Sequence, residues 1–223
     1  MVDFQERDTR RGLGDREEQV GRFDDDEATD GADPGDDGEG SGHDHGASEH
    51  DHESDHDHHA HDVETLGVGV VTVSSSRTLD DDTAGDAIAD AFAHEGHAVA
   101  TRELVPDDYD RVQDVVDAVV GRRDVDVVVT TGGTGVTPDD VTVEAVEPLV
   151  EKTLPGFGEL FRRRSEADIG TRIVATRAFA GVADGVPVFC LPGSEAAVRL
   201  GVSEIVLPEA GHLAGLARRD EAE

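Results

Sequence analysis

Residues 125–140 read VDVVVTTGGTGVTPDD and carry the strongest local signal in the chain. The β-branched run of residues 125–131 is typical of a strand that is buried on both faces. The glycine-threonine turn that follows, residues 132–135, lets the backbone approach an anion closely and point amide N–H groups at it. Asp139 and Asp140 complete the segment. We therefore interpret it as a buried strand that delivers an anion-binding loop to a site.

The chain before this strand alternates between strand and helix patterns. Residues 66–73 are an apolar run typical of a buried strand, and residues 97–105 form a second one. Residues 83–95 and 108–120 space their apolar side chains at helical intervals. This β-α-β-α-β order predicts parallel strands with right-handed crossovers and helices on both faces. The predicted fold is a three-layer αβα domain with a mostly parallel sheet.

The chain after residue 140 is predicted to contain two helices, a hairpin and a final helix. The elements are a helix at 144–152, a helix at 158–164, a hairpin of 172–182 and 185–191 around Ala183-Asp184-Gly185, and a helix at 195–206 that Pro208 ends.

Three loops are candidates for a ligand site, because ligands of open parallel sheets bind at the carboxyl ends of the strands. They are residues 74–82, 132–140 and 192–194. The glycine loop is not a Walker loop, since no Gly-Lys-Ser or Gly-Lys-Thr follows it and Lys152, the only lysine, is distant. It is also not a Rossmann fingerprint, because that motif follows the first strand of its domain and this loop follows the third predicted strand. A tight strand-to-helix turn is the alternative reading of its glycines.

Carboxylates follow two of the predicted strands. Asp107 and Asp108 follow the second strand, and Asp139 and Asp140 follow the third. Such carboxylates can hold Mg²⁺ beside a nucleotide phosphate, or they can cap the helices that come next. Ser194 has the same two readings, as a phosphate ligand at a helix N-terminus or as an ordinary cap.

Two further features are left open. The basic cluster Arg162-Arg163-Arg164 can attract an anion or pair with nearby carboxylates, and pairing is the commoner outcome. Cys190 lies in an apolar run, which predicts a buried small side chain.

The whole-chain charge limits the classes of partner. The 223 residues carry a formal net charge of −33 with a pI near 4.4, which argues against nucleic acid and anionic membranes as partners. No apolar run is long enough to span a membrane, and residues 1–22 lack the apolar core of a secretory signal. A single cysteine fits a reducing cytoplasm. Many acidic residues with one lysine resemble high-salt-adapted cytoplasmic proteins.

Residues 1–62 are predicted to be a disordered acidic tail, and residues 63–223 the folded domain. The tail has few apolar residues and holds eight of the eleven histidines, in three clusters between residues 43 and 61. These histidines are read either as loose metal ligands or as part of a solvated linker, because no fixed spacing defines a coordination geometry.

In combination, the segments resemble the MogA/MoaB type of molybdenum-cofactor biosynthesis proteins, which bind molybdopterin. The resemblance spans residues 63–219 and rests on an ordered set of motifs. They are Thr72-Val73-Ser74, Asp81-Asp82-Thr83-Ala84-Gly85, Val105-Pro106-Asp107-Asp108, the stretch from Thr131 to Thr142, Pro155-Gly156-Phe157-Gly158-Glu159, Arg177-Ala178-Phe179-Ala180-Gly181 and Leu191-Pro192-Gly193-Ser194.

The resemblance implies transfer of AMP from MgATP to molybdopterin with release of pyrophosphate, in a homo-oligomer, trimer or hexamer. Its alternative is a non-catalytic molybdopterin-binding protein of cofactor assembly. Asp107 and Asp140 match the essential carboxylates, and both are kept here. The residues implied to bind the substrate are Ser74, Gly132, Gly133, Thr134, Gly135, Ser165, Pro192, Gly193 and Ser194.

The chain departs from the family pattern at three positions near these residues. Thr176-Arg177 stands where the family has Ser-Arg. Ser74-Ser75 stands where many adenylyltransferases have Ser-Asp, and Cys190 stands where they often have Asn.

Overall fold

The strands predicted at residues 66–73, 97–105, 125–131 and 185–191 are all present. A computed structural model describes residues 62–218. The strands within them are β1 (Gly67–Val73), β2 (Ala98–Val105), β3 (Val127–Thr131), β4 (Lys152–Thr153), β5 (Phe179–Ala183) and β6 (Val186–Leu191).

The connecting segments are mainly helical. The α-helices of residues 62–218 are α1 (Thr83–His94), α2 (Tyr109–Val120), α3 (Thr142–Val146), α4 (Pro155–Ile169), α5 (Glu195–Gly201) and α6 (Leu207–Ala217). Short 3₁₀ segments occupy Leu79–Asp81, Glu147–Leu149 and Gly170–Ala175, and a π-helical segment occupies Val202–Val206.

The described strands form one mostly parallel sheet in the order β2-β1-β3-β6-β5-β4. β1 pairs in parallel with β2 and β3, and β3 pairs in parallel with β6. β5 is antiparallel to both β6 and β4. The four parallel strands therefore bring their carboxyl ends to one edge of the sheet, as predicted.

Two apolar clusters cover the two faces of the sheet. Val68 and Val70 of β1 face the cluster shared with α1, α4, α5 and α6, whereas Val71 and Val73 face the cluster shared with α2 and α3. All four valines are at most 3% exposed. Because each fully buried valine contributes about 1.5–3 kcal/mol, strands of this kind hold the sheet between two helical layers. The predicted αβα class is confirmed.

Several boundaries after residue 140 were predicted wrongly. The helix expected at 144–152 ends at Val146, and Lys152 is in a strand because its backbone pairs with that of Val182. The hairpin is confirmed around Asp184 and Gly185, both at positive φ, as two-residue hairpin turns require. Its first strand begins at Phe179, which pairs with Cys190 near the end of β6.

Residues 172–175, predicted as part of that strand, belong instead to the 3₁₀ segment that follows α4. The helix predicted at 158–164 is longer, since α4 begins at Pro155 and ends at Ile169.

Pro208 does not end the last helix. It lies in the first turn of α6, which continues to Ala217. The π-helical segment Val202–Val206 runs directly into α6, with Val206 and Leu207 in helical conformation, so Pro208 lies inside a continuous helical run. An irregular π turn is a place where a helix can accommodate a proline that lacks the N–H donor. The expectation that Pro208 terminates the helix was wrong.

The tail prediction and its histidine clusters lie outside the described residues, apart from Asp62. Asp62 contacts His212 of α6 with an Oδ1–Nδ1 distance of 2.8 Å, and the Val63 N–H donates to the Gly211 carbonyl at 3.1 Å. Within residues 62–218, no helix is both long and apolar enough to cross a bilayer.

Candidate functional site

The predicted loops meet at the carboxyl edge of the sheet. The Ser74 N–H donates to the Val105 carbonyl at 2.8 Å, which joins the ends of β1 and β2. The Gly132 N–H donates to the Leu191 carbonyl at 3.0 Å, which joins the ends of β3 and β6. The loops therefore lie side by side because of the strand order, although they are far apart in sequence.

The glycines after β3 adopt a backbone that other residues rarely adopt. Gly132 has φ +101° and Gly133 has φ +64°. A Cβ on Gly132 would lie 2.2 Å from the Val73 carbonyl oxygen, and one on Gly133 would lie 2.3 Å from Thr142 Oγ1. Thr142 also fixes the turn, since its hydroxyl donates to the Gly132 carbonyl at 2.8 Å. The glycines are therefore required by the close packing of this turn.

A cavity of about 390 Å³ opens beside the glycine loop. Seven of the predicted site residues line it together, namely Gly132, Gly133, Thr134, Gly135, Asp140, Pro192 and Gly193. Arg77, Ala175 and Thr176 complete the described lining. The arrangement offers backbone amides, one carboxylate and one guanidinium to a ligand, which suits a phosphorylated molecule.

Asp140 is held inside the loop that it follows. Its Oδ2 accepts from the Thr137 N–H at 2.8 Å and from the Thr137 hydroxyl at 2.6 Å. Partial burial disfavours the charged form, but hydrogen bonds from Thr137 and the Gly135 backbone, with the charge of Arg177, outweigh it and lower the pKa of Asp140. Asp140 is therefore an ionised carboxylate at the cavity wall at neutral pH.

Arg177 clamps the same loop from the other side. Its Nε donates to the Gly135 carbonyl at 2.6 Å and its Nη2 to the Asp140 carbonyl at 3.0 Å, and its guanidinium pairs with Glu144. The hydrogen bond from Arg177 holds the pKa of Glu144 below its usual value. The Arg177 N–H also donates to the Thr134 carbonyl at 3.2 Å. The clamp fixes the loop geometry before any ligand arrives.

Asp107 lies farther from the cavity. Its Oδ2 accepts from the Ser75 N–H at 2.7 Å, and the Ser75 hydroxyl accepts from the Asp107 N–H at 3.0 Å. It follows β2, whereas Asp140 follows β3, and β1 lies between them. The ends of these two strands are two strand spacings, roughly 10 Å, apart, and Asp107 is outside the described lining of the cavity to which Asp140 contributes. Asp108 caps α2, as the capping alternative predicted.

The predicted serines are outside the described lining of this cavity. Ser74 follows β1, with its hydroxyl 3.4 Å from that of Ser76. Ser194 caps α5 by accepting a hydrogen bond from the Ala197 N–H at 3.3 Å, as the capping alternative predicted. Ser165 is buried within α4.

The other sequence features are placed away from the cavity. Arg164 pairs with Glu204 at 3.4 Å, as the pairing alternative for the basic cluster anticipated. Cys190 is fully buried, and desolvation raises the pKa of its thiol to about 12. Among residues 62–218, no group of three or more His, Cys, Asp or Glu side chains is arranged to hold a metal ion.

A larger cavity of about 730 Å³ lies where α1 ends and α6 begins. His94 and His97 line it, and they precede β2 instead of following a parallel strand. It is thus at the opposite edge of the sheet from the glycine loop. We place the site in the smaller cavity because the strand ends, the glycine turn and the ionised carboxylate converge there.

Arg77 and Arg177 were not predicted as site residues. Arg177 is more than 35 positions from the loop carbonyls that it binds, and Arg77 is 116 positions from Gly193. No local pattern of apolar residues in the sequence indicates contacts between residues so far apart. The available signals were the position of Arg77 within the candidate loop of residues 74–82 and that of Arg177 at the start of the motif Arg177-Ala178-Phe179-Ala180-Gly181.

Residues 69–212 match the family described as probable molybdopterin binding domain. The chain belongs to this family. The match includes the glycine loop, Asp107 and residues 192–194, and so it covers the whole candidate site.

Molybdopterin-family relatives cover most of the described domain. Molybdenum cofactor biosynthesis protein B of Halalkalibacterium halodurans is 40% identical over 151 residues, 67% of this chain and 89% of the relative. The protein of the same name from Bacillus anthracis is 45% identical over 145 residues, 65% of this chain and 86% of the relative.

Solved structures agree with the fold. A crystal structure of a molybdenum cofactor biosynthesis protein B superposes with a TM-score of 0.68 at 41% identity, and covers 70% of this chain and 97% of its own. The tungsten cofactor synthesizing protein MoaB from Pyrococcus furiosus superposes with a TM-score of 0.62 at 39% identity, with coverages of 70% and 99%.

Proposed function

We propose that this protein acts in molybdenum or tungsten cofactor biosynthesis by transferring AMP from MgATP to molybdopterin. The observation that carries the proposal is the cavity in which the glycine-loop backbone meets an ionised carboxylate, in a molybdopterin-binding family member. Relatives at 40–45% identity are named molybdenum cofactor biosynthesis protein B, which supports the pathway.

The reaction requires little proton transfer. An oxygen of the molybdopterin phosphate attacks the α-phosphorus of ATP, the bond from that phosphorus to the bridging oxygen breaks, and pyrophosphate leaves with the bonding electrons. The nucleophile is already anionic at neutral pH, so positioning and charge neutralisation supply most of the catalysis. A preordered loop held by Arg177 suits this requirement.

The proposed roles follow the placement of each residue. The amides of Gly133 and Thr134 and the Thr134 side chain hold the pterin phosphate. The Gly132 and Gly135 amides instead donate to the Leu191 carbonyl and the Asp140 carboxylate, and so shape the loop. Asp140 serves the nucleotide end and Asp107 acts from beyond β1. The remaining proposed binding residues are Pro192 and Gly193, which line the cavity, and Ser74, Ser165 and Ser194, which lie outside its described lining.

The Asp140 carboxylate fits a magnesium ion that arrives with ATP. Mg²⁺ in such sites is held by one or two carboxylates together with substrate phosphates and water, and it needs no cage made of protein groups alone. Asp140 lies in the wall of the cavity and would hold the ion, whereas Asp107 lies beyond β1 and outside the described lining, too far to share its coordination. When bound, the ion would neutralise charge on the phosphates.

The test is an anaerobic assay of pyrophosphate release by the full-length protein with molybdopterin, ATP and Mg²⁺. We expect activity from the wild type and a loss of at least about 100-fold in Asp140→Asn, with pterin binding retained. Asp139→Asn, an exposed neighbour, is the matched control and should keep activity. Wild-type protein that yields no product would refute the proposed transfer.

A non-catalytic molybdopterin-binding protein is the second candidate. Its support is that Asp140 Oδ2 already accepts two hydrogen bonds from Thr137, which fits a purely structural carboxylate. Pterin binding without product formation would favour this candidate. A trimer or hexamer, proposed for either function, would be measured by light scattering.

A further inference from the structure

One positive charge faces the cavity beside the glycine loop. Among the described residues that line it, Arg77 is the cationic one, and Asp140 is the anionic one. The Arg77 side chain is 33% exposed, so its guanidinium is partly desolvated and still reachable from solvent. In a chain of net charge −33, an anionic ligand is repelled at long range, and a local arginine offsets that repulsion where the ligand binds.

The guanidinium of Arg77 is held in place by two contacts, but these contacts do not use all of its N–H donors. Its Nη2 donates to the Gly193 carbonyl at 3.1 Å, and its Nη1 is 4.0 Å from Asp82 Oδ1. A guanidinium has five N–H donors in a rigid planar fork. Within residues 62–218 the first contact uses one donor and the second is a long ion pair. Donors therefore remain for a ligand.

Asp82 does not neutralise the charge of Arg77, because its carboxylate is bound mainly by other groups. This carboxylate is only 1% exposed and accepts from the Thr72 hydroxyl at 2.6 Å and the Gly85 N–H at 2.9 Å. Arg102 supplies a closer cation, with its Nη2 3.4 Å from Asp82 Oδ2. Asp82 is thus satisfied by other groups and serves as a loose anchor that aims Arg77 at the cavity.

We infer that Arg77 recognises the phosphate of the ligand and so makes this site specific for phosphorylated over dephosphorylated pterin. The inference rests on the proposed function, since it names the group of molybdopterin that this residue binds. Two parallel N–H donors match two phosphate oxygens, and such charge-assisted pairs are stronger than neutral hydrogen bonds. The amides of Gly133 and Thr134 would approach the same phosphate from the other wall, since the Gly132 and Gly135 amides already donate within the protein.

The test compares the binding of molybdopterin and of dephosphomolybdopterin by the full-length protein under anaerobic conditions. Arg77→Gln removes the charge while its amide can still donate to the Gly193 carbonyl, and Arg77→Lys keeps the charge but loses the fork. Arg111→Gln is the matched control, because it removes the same charge from an exposed position on α2.

We expect Arg77→Gln to weaken binding of molybdopterin roughly 10- to 100-fold and to leave that of the dephosphorylated ligand unchanged. Arg77→Lys should fall between Arg77→Gln and the wild type, and Arg111→Gln should match the wild type for both ligands. An equal loss for both ligands would show that Arg77 only shapes the loop, and no loss for either would show that it has no role; each result overturns the inference.

Failure of the proposed function gives a different result. Wild-type protein that binds neither pterin refutes the function and the inference together, whereas failure of the inference alone leaves wild-type binding intact. Arg77→Lys keeps the comparison valid if Arg77→Gln does not fold.

Discussion

At the scale of single residues, the candidate site is built by side chains that bind loop backbone. Arg177 donates to the carbonyls of Gly135 and Asp140, and Asp140 binds Thr137. The carboxylate could be singled out from the sequence because it follows a strand and a glycine turn. The arginine could not, because its contacts depend on how β5 returns beside β6.

Replacement of Arg177 with glutamine should loosen the glycine loop. The change removes charge-assisted hydrogen bonds to two carbonyls and leaves Glu144 without its partner, at an expected cost of about 1–3 kcal/mol in the free energy of unfolding. Chemical denaturation measures it. Arg199→Gln is the control, because Arg199 is an exposed i,i+4 partner of Glu195 and such pairs contribute about 0.3–0.5 kcal/mol. Equal costs for the two variants would contradict the clamp.

The Asp140 carboxylate should make stability fall in acid. Its pKa is lowered by folding, so its contribution is present above the unfolded value of 3.8 and is lost as pH falls through the lower folded value. Unfolding free energies between pH 7 and pH 3 should therefore decline more steeply for the wild type than for Asp140→Asn. The comparison cancels the general effect of protonating an acidic chain. Parallel curves would show that this pKa is not shifted.

At the scale of elements, the turn after β3 is the most constrained part of the site. Gly133→Ala places a Cβ 2.3 Å from Thr142 Oγ1 at φ +64°, so we expect a loss of at least about 1–2 kcal/mol and weaker pterin binding. Gly156→Ala is the control, because its Cβ would meet nothing within 4 Å in the first turn of α4. It should be neutral or stabilising by up to about 1 kcal/mol. Similar unfolding midpoints for the two variants would refute the requirement for glycine.

Elements with strong local periodicity could be predicted from the sequence. Buried strands such as β1 and β3 need continuous apolar residues, and α2 needs valines at helical spacing, so each leaves a local pattern. β4 could not be predicted, because two residues become a strand only by pairing with β5. The continuation of α6 past Pro208 was also missed, since no local pattern shows that a π-helical segment joins α5 to α6 and accommodates the proline.

At the scale of the whole molecule, strand order assembles the site. Loops after β1, β3 and β6 are separated by tens of residues and meet because these strands are parallel neighbours. This convergence could be expected from the α/β class, and the cavity agrees with it for residues 132–135, 192 and 193. The positions of Ser74, Ser165 and Ser194 outside its lining depend on side-chain packing that no strand pattern reports.

The charge of the chain should make its stability depend on salt. A net charge of −33 repels itself, and molar salt shortens the screening length to about 3 Å. We expect the melting temperature to rise by at least about 5 °C from 0.1 M to 2 M KCl, which corresponds to about 1–2 kcal/mol. Sorbitol at equal osmolality is the control for general exclusion effects. A flat melting temperature in KCl would contradict this expectation.

The location of bound molybdopterin tests the account most directly. A crystal structure of the full-length protein with molybdopterin and a non-hydrolysable ATP analogue should show the pterin phosphate on the amides of Gly133 and Thr134 and within hydrogen-bond distance of Arg77. The nucleotide phosphates should lie on the Asp140 side. Ligand density in the cavity between α1 and α6, with the glycine loop empty, would contradict it.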